Sequence, residues 1–239
     1  MTHEAMAEVL ADAAATATAV PQLSRDHEFG LADAYAVQRL VVDARGRRRT
    51  GVKLGLTSRA KAAQMGVFDV IFGELTEDME TEDGGRLSAA RFIHPRVEPE
   101  VAFLVRGGEV TGVAPALEVI DSRYRDFRFN LVDVVADNTS AAAYVIGPWR
   151  PAGTDVANRG VVLEIDGHVV ETGSTAAVLG APLRAVATTA RLAADIGLAL
   201  PDETVVLAGA ATAAVPLTPG TTVEARISAL GRVGFTYST

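Results

Sequence analysis

The pattern of hydrophobic and polar residues changes character near residue 50. Residues 3–18 are rich in alanine and prone to form a helix, and a second helix is predicted from about Leu31 to Ala44. From Gly51 onward the chain consists of short hydrophobic runs broken by turn residues, which is typical of β-strands. We therefore predict two parts, a helical N-terminal lead over residues 1–50 and a β-rich domain over residues 51–239.

Turn residues within the second part indicate how its strands are connected. The sequence "IDGH" separates "VVLE" from "VVET", and an Asp-Gly pair favours a tight hairpin turn. A helix is predicted for "PLRAVATTARLAADIG", which ends at Gly197. Many strands with few crossover helices predict a mixed α/β fold in which a mainly antiparallel sheet closes or rolls up.

The composition narrows the class of protein. The chain has 239 residues, of which 49% are hydrophobic, so a full core is expected. Its formal charge of −8, without a long basic stripe, argues against nucleic acid as a partner. No cysteine, secretory signal pattern or hydrophobic run of membrane-spanning length is present. We therefore expect a cytoplasmic protein that does not act on membranes.

Two acids stand in a hydrophobic strand, "RVEPEVAFLV" (96–105). Glu98 and Glu100 are two positions apart, so both carboxylates point to the same face of a strand, and hydrophobic residues occupy the other face. Two buried like charges need protons, cationic partners or a metal ion. The alternative is a solvent-exposed strand edge, which Pro99 permits because it donates no hydrogen bond to a neighbouring strand.

A third acid, Glu118, also has hydrophobic neighbours. Three carboxylates from two strands suit Mg²⁺ or Mn²⁺, whose preferred ligands are oxygens. Nearby, Asp121 and Arg123 are expected to pair with each other. Zinc is less favoured because the four histidines are scattered and have no ligand spacing.

Lys53 is the candidate catalytic cation. In "GVKLGL" it shares a strand face with Gly51 and Gly55, which leave space beside its ammonium group for a ligand. The alternative is a surface lysine that extends into solvent. In "DVVADNTSAA", Asp137 and Asn138 are predicted to order a turn through side-chain hydrogen bonds to the backbone.

Five motifs, in order, carry a family resemblance: "GVKLGLTS", "MGVFDVIFGELTEDM", "HPRVEPEVAFLV", "PALEVIDSRYRDFRFNLVDVVADNTS" and "ETGSTAAVLGAP". They resemble the hydratase/decarboxylase family of the fumarylacetoacetate hydrolase superfamily over nearly the whole chain. The resemblance implies a β-roll catalytic core over residues 51–239 and a Mg²⁺ or Mn²⁺ ion. It also implies roles for individual residues: metal ligation by Glu98, Glu100 and Glu118, catalysis by Lys53, and substrate binding by Thr57, Arg123, Thr175 and Thr212.

One position separates the two branches of the family. Hydratases of 2-hydroxypenta-2,4-dienoate typically carry P-D-[FY]-G, and decarboxylases of 4-oxalocrotonate (2-oxo-3-hexenedioate) typically carry P-I-[FY]-G. This chain reads "VIFG", with Ile71 in place of the aspartate. The resemblance therefore favours metal-dependent decarboxylation of a 2-oxo acid in aromatic meta-cleavage catabolism, by a homo-oligomer that associates with a hydratase of the same pathway.

Three alternatives follow from other features of the chain. A hydratase is the nearest one, and a C–C hydrolase or oxaloacetate decarboxylase of the wider superfamily is the next. Family members usually have a helix-containing segment between the second and third metal acids, whereas "RGGEVTG" (106–112) predicts a tight turn there. This shortening raises a third alternative, a non-catalytic protein that binds 2-oxo acids.

Overall fold

The structure is a computed structural model, and it describes residues 1–58 and 70–239. Within these ranges the helices are α1 (His3–Ala15), α2 (Leu31–Ala44), α3 (Leu131–Ala136) and α4 (Arg184–Asp195). The strands are β1 (Arg49–Gly55), β2 (Ile71–Thr76), β3 (Glu80–Thr81), β4 (Arg86–Ser88), β5 (Arg96–Arg106), β6 (Glu109–Ile120), β7 (Ala141–Ile146), β8 (Arg150–Pro151), β9 (Gly160–Ile165), β10 (His168–Ser174), β11 (Glu203–Leu207), β12 (Val215–Pro216), β13 (Thr221–Ile227) and β14 (Gly231–Ser238).

The larger sheet has the strand order β2-β1-β11-β5-β6-β7-β3, and β12 and β8 pair with β5 and β6 respectively. Its long β5–β6 hairpin turns at Gly107 and Gly108, whose φ values of 56° and 83° are those of a tight turn. The tight turn predicted from "RGGEVTG" is therefore confirmed. The sheet curls, so that Thr50 on β1 reaches the Tyr144 hydroxyl on β7 at 2.9 Å although these strands are not neighbours.

The smaller sheet has the order β10-β9-β13-β14-β4. Its β9–β10 hairpin turns at Asp166 and Gly167, both with positive φ, which confirms the hairpin predicted from "IDGH". One face of this sheet packs on the larger sheet through a shared hydrophobic cluster. Val97 and Leu117 of the larger sheet and Phe235 of the smaller one belong to it.

The helices cover the outer face of the larger sheet. Leu10 of α1 and Val37 of α2 are fully buried in the same hydrophobic cluster as Val52 and Phe103 of the sheet. The inner face carries several small residues, among them Ala102, Ala114 and Ala116. The candidate site lies on this inner face.

The observed fold confirms the predicted mixed α/β β-roll with N-terminal helices. The second helix begins and ends where the sequence predicts, the first ends three residues early at Ala15, and α4 is followed by Gly197 with a φ of 66°. The division into parts at residue 50 stays a prediction. No helix among the described residues is long and apolar enough to cross a membrane.

Candidate active site

Three buried carboxylates meet on the inner face of the larger sheet. Glu98 and Glu118 face each other across the β5–β6 pair, and Glu100 follows two positions along β5. The three carboxylate groups each place an oxygen within 4.8 Å of the other two. Glu100 and Glu118 are 0% and 1% exposed, so water screens their repulsion very little.

The strand that holds two of these acids is central in the sheet. β5 lies between β6 on one side and β11 with β12 on the other. The alternative interpretation of Glu98 and Glu100 as residues of an exposed strand edge is therefore wrong. Pro99 is accommodated inside the sheet, where its carbonyl accepts a hydrogen bond of 3.0 Å from the backbone N–H of Ala211.

The carboxylate oxygens are only partly satisfied within the described chain. The backbone N–H of Gly209 donates to Glu100 Oε2 at 2.8 Å. Glu100 Oε1 and Glu118 Oε2 are buried and accept no hydrogen bond from the described residues. Burial, together with the neighbouring carboxylates, raises the pKa of Glu100 well above its ordinary value, and burial also raises the pKa of Glu118. A divalent cation would neutralise this cluster and coordinate both unsatisfied oxygens, so the residues present fit Mg²⁺ or Mn²⁺.

Lys53 lies directly beside the carboxylates, so the alternative interpretation of a surface lysine is wrong. Its Nζ lies 2.9 Å from Glu118 Oε1 and donates a hydrogen bond of 3.1 Å to the carbonyl oxygen of Thr139. The side chain is 4% exposed. Burial opposes its charge, yet the carboxylates of Glu118, Glu100 and Glu98 outweigh burial and raise the pKa of Lys53. The carboxylates therefore favour the protonated form of Lys53.

A left-handed turn places the carbonyl that Lys53 contacts. Asn138, Thr139 and Ser140 have φ values of 49°, 52° and 58°, a run of strained backbone that is typical of functional sites. Asn138 fixes the turn to β2, because its Oδ1 accepts from the backbone N–H of Glu74 at 2.8 Å and its Nδ2 donates to the carbonyl of Glu74 at 2.9 Å. The turn predicted at Asp137 and Asn138 is confirmed, whereas its contact with Lys53 had no signal in the sequence.

Arg123 is held by the same turn. Its Nε and Nη2 donate to the side chain and the carbonyl of Asp137, and its Nη1 donates to the carbonyl of Ala141 at 3.2 Å. The predicted pair of Asp121 with Arg123 is wrong, because Asp121 instead accepts from the backbone N–H groups of Ile93 and His94. The guanidinium of Arg123 thus serves the protein's own carbonyl and carboxylate groups, and its role in substrate binding stays a prediction.

The three threonines predicted to bind substrate have different neighbours and hydrogen-bond partners. Thr57 is buried beside Gly209, where a methyl group on the glycine would lie 2.2 Å from Thr57 Oγ1. Thr175 is buried and uses its hydroxyl to bond the carbonyl of Val156 and the backbone N–H of Arg159. Thr212 bonds the carbonyl of Ala213. Thr57 is thus adjacent to the residue that contacts Glu100, and substrate binding by all three stays a prediction.

Ile71 faces the same side of the sheet as Lys53. It is the register partner of Gly55 on β1, and its side chain is 4% exposed. The position that distinguishes decarboxylases from hydratases therefore lies on the inner face of the sheet near Lys53, and its side chain has no group that can exchange a proton. The preceding part of that motif, residues 65–69, lies outside the described residues.

Known proteins resemble this chain in sequence and in fold. The family "Fumarylacetoacetate (FAA) hydrolase C-terminal" matches residues 108–236. The chain is 48% identical to a 4-oxalocrotonate decarboxylase of Pseudomonas sp. over 245 residues, covering 96% of each chain. This extent of similarity decides the family. The chain belongs to the fumarylacetoacetate hydrolase family.

Two further members of the fumarylacetoacetate hydrolase family, a decarboxylase and a hydratase, can be compared with the chain. The 4-oxalocrotonate decarboxylase from Pseudomonas putida G7, complexed with magnesium and adipate, superposes with a TM-score of 0.93 at 38% identity, covering 98% of this chain and 97% of that one. A 2-keto-4-pentenoate hydratase of Paraburkholderia xenovorans is 36% identical over 224 residues, covering 86% of this chain and 83% of its own length. Family membership is thus shared by decarboxylases and hydratases, with the higher identity on the decarboxylase side.

Proposed function

We propose that this protein is a Mg²⁺- or Mn²⁺-dependent decarboxylase that converts 4-oxalocrotonate (2-oxo-3-hexenedioate) to 2-hydroxypenta-2,4-dienoate. The observation that carries the proposal is the buried cluster of Glu98, Glu100 and Glu118 with Lys53 beside it and Ile71 on the same face. The 48% identity to a 4-oxalocrotonate decarboxylase over nearly the whole chain supports the same reaction.

The reaction breaks the bond between the distal carboxylate and the adjacent carbon. The electron pair of this bond moves through the alkene to the keto oxygen, CO₂ leaves, and the resulting dienolate takes up one proton. When bound, the divalent ion supplies Lewis acidity at the 2-oxo acid end of the substrate. Glu98, Glu100 and Glu118 would hold it with the oxygens that face the interior.

Lys53 has two properties that suit it to this reaction. The surrounding carboxylates favour its protonated form, so it presents a positive charge at a buried position. Such a preorganised cation stabilises negative charge that develops on an enolate oxygen. The same group holds a proton at Nζ that can be delivered to that oxygen as the product forms.

A hydratase is the second candidate, and the curated hydratases among the relatives favour it. Addition of water to a diene requires a group that moves protons between water and a substrate carbon. Ile71 cannot do so, and Lys53 is paired with Glu118. Decarboxylation needs no such base, because the departing CO₂ leaves the electrons behind.

Three features of the protein stay predictions: a homo-oligomeric assembly, association with a hydratase of the same pathway and a cytoplasmic location. The homologues act on small organic acids, and a small 2-oxo acid is the substrate class that the buried site suits.

The purified protein, supplied with Mg²⁺, tests the proposal when each substrate is provided separately. We expect CO₂ release from 2-oxo-3-hexenedioate and little formation of 4-hydroxy-2-oxopentanoate from 2-hydroxypenta-2,4-dienoate. Rapid hydration without CO₂ release would place the protein among the hydratases. No reaction with either substrate, in the presence of bound metal, would favour the non-catalytic 2-oxo acid binding protein.

A further inference from the structure

The inner face of β5 carries a basic residue beyond the carboxylates. The register between β5 and β6 is regular from Arg96 to Leu104, so Arg96, Glu98 and Glu100 alternate onto the same face. Two residues along a strand correspond to about 6.6 Å. Arg96 therefore extends from the same side of the sheet as the metal ligands, one side-chain position beyond them.

The guanidinium of Arg96 is positioned by an aromatic ring. Its Cζ lies 4.5 Å from the centroid of the Phe127 ring, a cation–π contact. Phe127 and the preceding Asp126 have φ values of 54° and 60°, so strained backbone directs this ring toward the arginine. The ring of His94 also packs on the ring of Phe127, with 4.6 Å between the two ring centroids.

Arg96 is not neutralised by any residue that the structure describes. It forms no ion pair with any residue in the described ranges 1–58 and 70–239, although Glu98 and Asp126 are nearby in sequence or space. It lines an open cavity of about 430 Å³ together with His94, Asp126, Phe127 and Pro216. A stacked guanidinium keeps its N–H groups at the ring edge free to donate.

The charge of the substrate calls for such a group. Among the described residues, the three carboxylates, the Lys53 ammonium and a divalent ion together carry no net charge, and a substrate with two carboxylates brings two negative charges to them. Its 2-oxo acid end is the part suited to the metal. The distal carboxyl group of a six-carbon chain lies several ångströms beyond that end, so a group that binds it must stand outside the set of metal ligands, as Arg96 does on β5.

We propose that Arg96, stacked on Phe127, binds the distal carboxylate of a 2-oxo dicarboxylate and thereby selects it over 2-oxo monocarboxylates. This inference rests on the proposed function. Arg123, the arginine predicted from the sequence to bind substrate, directs its donors to Asp137 and Ala141 instead.

The proposed contact has a defined kinetic consequence. The distal carboxylate loses its charge as CO₂ forms, so the contact with Arg96 is stronger in the ground state than in the transition state. Removing it should therefore raise KM without lowering kcat. Substitution of a purely structural residue would not raise KM while leaving kcat undiminished.

Binding of two unreactive probes to the Mg²⁺-loaded protein tests the inference by calorimetry. They are 2-oxoadipate, with a distal carboxylate, and 2-oxohexanoate, without one. We expect Arg96→Gln to weaken 2-oxoadipate binding by about 10-fold to 100-fold, the range for a lost charged hydrogen bond, and to leave 2-oxohexanoate binding unchanged. Arg96→Lys should restore part of the loss, because it keeps the charge but not the planar stack.

Arg91→Gln is the matched control. Arg91 also stacks on a phenylalanine, Phe92, at 5.5 Å, and donates to the carbonyl of Asp78. It should leave binding of both probes unchanged. Equal binding of 2-oxoadipate by Arg96→Gln and the unaltered protein would overturn the inference, as would equal losses for both probes. If the unaltered protein binds both probes but releases no CO₂, the proposed function fails while the assignment of Arg96 stands.

Discussion

Gly73 on β2 lies against the carbonyl oxygen of Asn138 so closely that a β-carbon at Gly73 would come within 2.4 Å of it. Gly55 on β1 has a similar relationship to Thr139, whose Cγ2 would lie 2.8 Å from a β-carbon at Gly55. Because these two residues have no side chain, the left-handed turn of residues 138–140 packs directly against the sheet. That position brings the Thr139 carbonyl to Lys53.

Gly73→Ala should displace this turn. Because the clash involves backbone atoms, we expect a loss of about 1–3 kcal/mol in the free energy of unfolding, together with a lower kcat as the Thr139 carbonyl leaves Lys53. Chemical denaturation and steady-state kinetics measure the two effects. Gly153→Ala is the control, since nothing lies within 4 Å of a β-carbon there. An alanine variant at Gly73 with unaltered stability would contradict the close packing.

Glu100→Gln should abolish Mg²⁺-dependent activity while the fold persists. The change removes the negative charge but keeps the shape and the acceptor for the Gly209 N–H. Calorimetric titration with Mg²⁺ should show metal affinity reduced by at least about 10-fold. Full activity and full metal affinity in this variant would rule out Glu100 as a ligand.

Lys53→Met should lower kcat by about 100-fold or more, the scale expected for the loss of an oxyanion donor or general acid. The substitution keeps the length of the side chain and removes the charge that compensates Glu118. Single-turnover measurements with saturating Mg²⁺ isolate the chemical step. Lys53→Arg, which keeps the charge, should retain metal binding. An unchanged kcat with lowered thermal stability would make Lys53 a structural residue.

Ile71→Asp should depress decarboxylation. A carboxylate on the face of Lys53 would offer this ammonium a second partner and bring water into the interior, where ionised groups are costly. We expect a fall in kcat of about 10-fold or more for CO₂ release, with any new hydration of 2-hydroxypenta-2,4-dienoate measured alongside. Ile71→Val, which stays apolar, is the control. Full decarboxylation by the aspartate variant would show that this position does not separate the two branches.

The stabilisation by Mg²⁺ should increase with pH. The folded-state pKa of Glu100 is raised, so its contribution to stability is complete below the unfolded-state pKa and is lost as the pH rises through the raised value. Mg²⁺ replaces the protons that are lost in this range. The increase in Tm caused by Mg²⁺ should therefore be larger at about pH 8 than at about pH 5.5, and Glu100→Gln should reduce the difference.

The sequence was most informative where the chemistry is local. Glu98 and Glu100 share a strand face because of their spacing alone, and the Asp-Gly turn at Asp166 follows from the positive φ it favours. The N-terminal helices were equally evident, because α2 begins and ends at the predicted residues. Such features depend on neighbours in the chain, so the pattern of residues is sufficient to predict them.

Long-range contacts were not predictable in this way. Arg123 pairs with Asp137 rather than with Asp121, because the left-handed turn folds residue 137 back toward the arginine. The donation from Gly209 to Glu100 joins positions that are 109 residues apart. Nothing in the sequence indicated that a carboxylate of this same chain accepts a hydrogen bond from the backbone N–H of Gly209.

Pro99 interrupts the hydrogen-bond ladder of the larger sheet beside the carboxylate cluster. Its carbonyl accepts from Ala211, so its nitrogen faces the same neighbouring segment and has no hydrogen to offer it. The ladder between β5 and that segment is interrupted there, from the end of β11 at Leu207 to the start of β12 at Val215. The intervening residues bow away from a regular strand, and Gly209 turns its N–H toward a side chain. The absence of this one backbone donor thus leaves an irregular stretch in the larger sheet, directly beside Glu98 and Glu100.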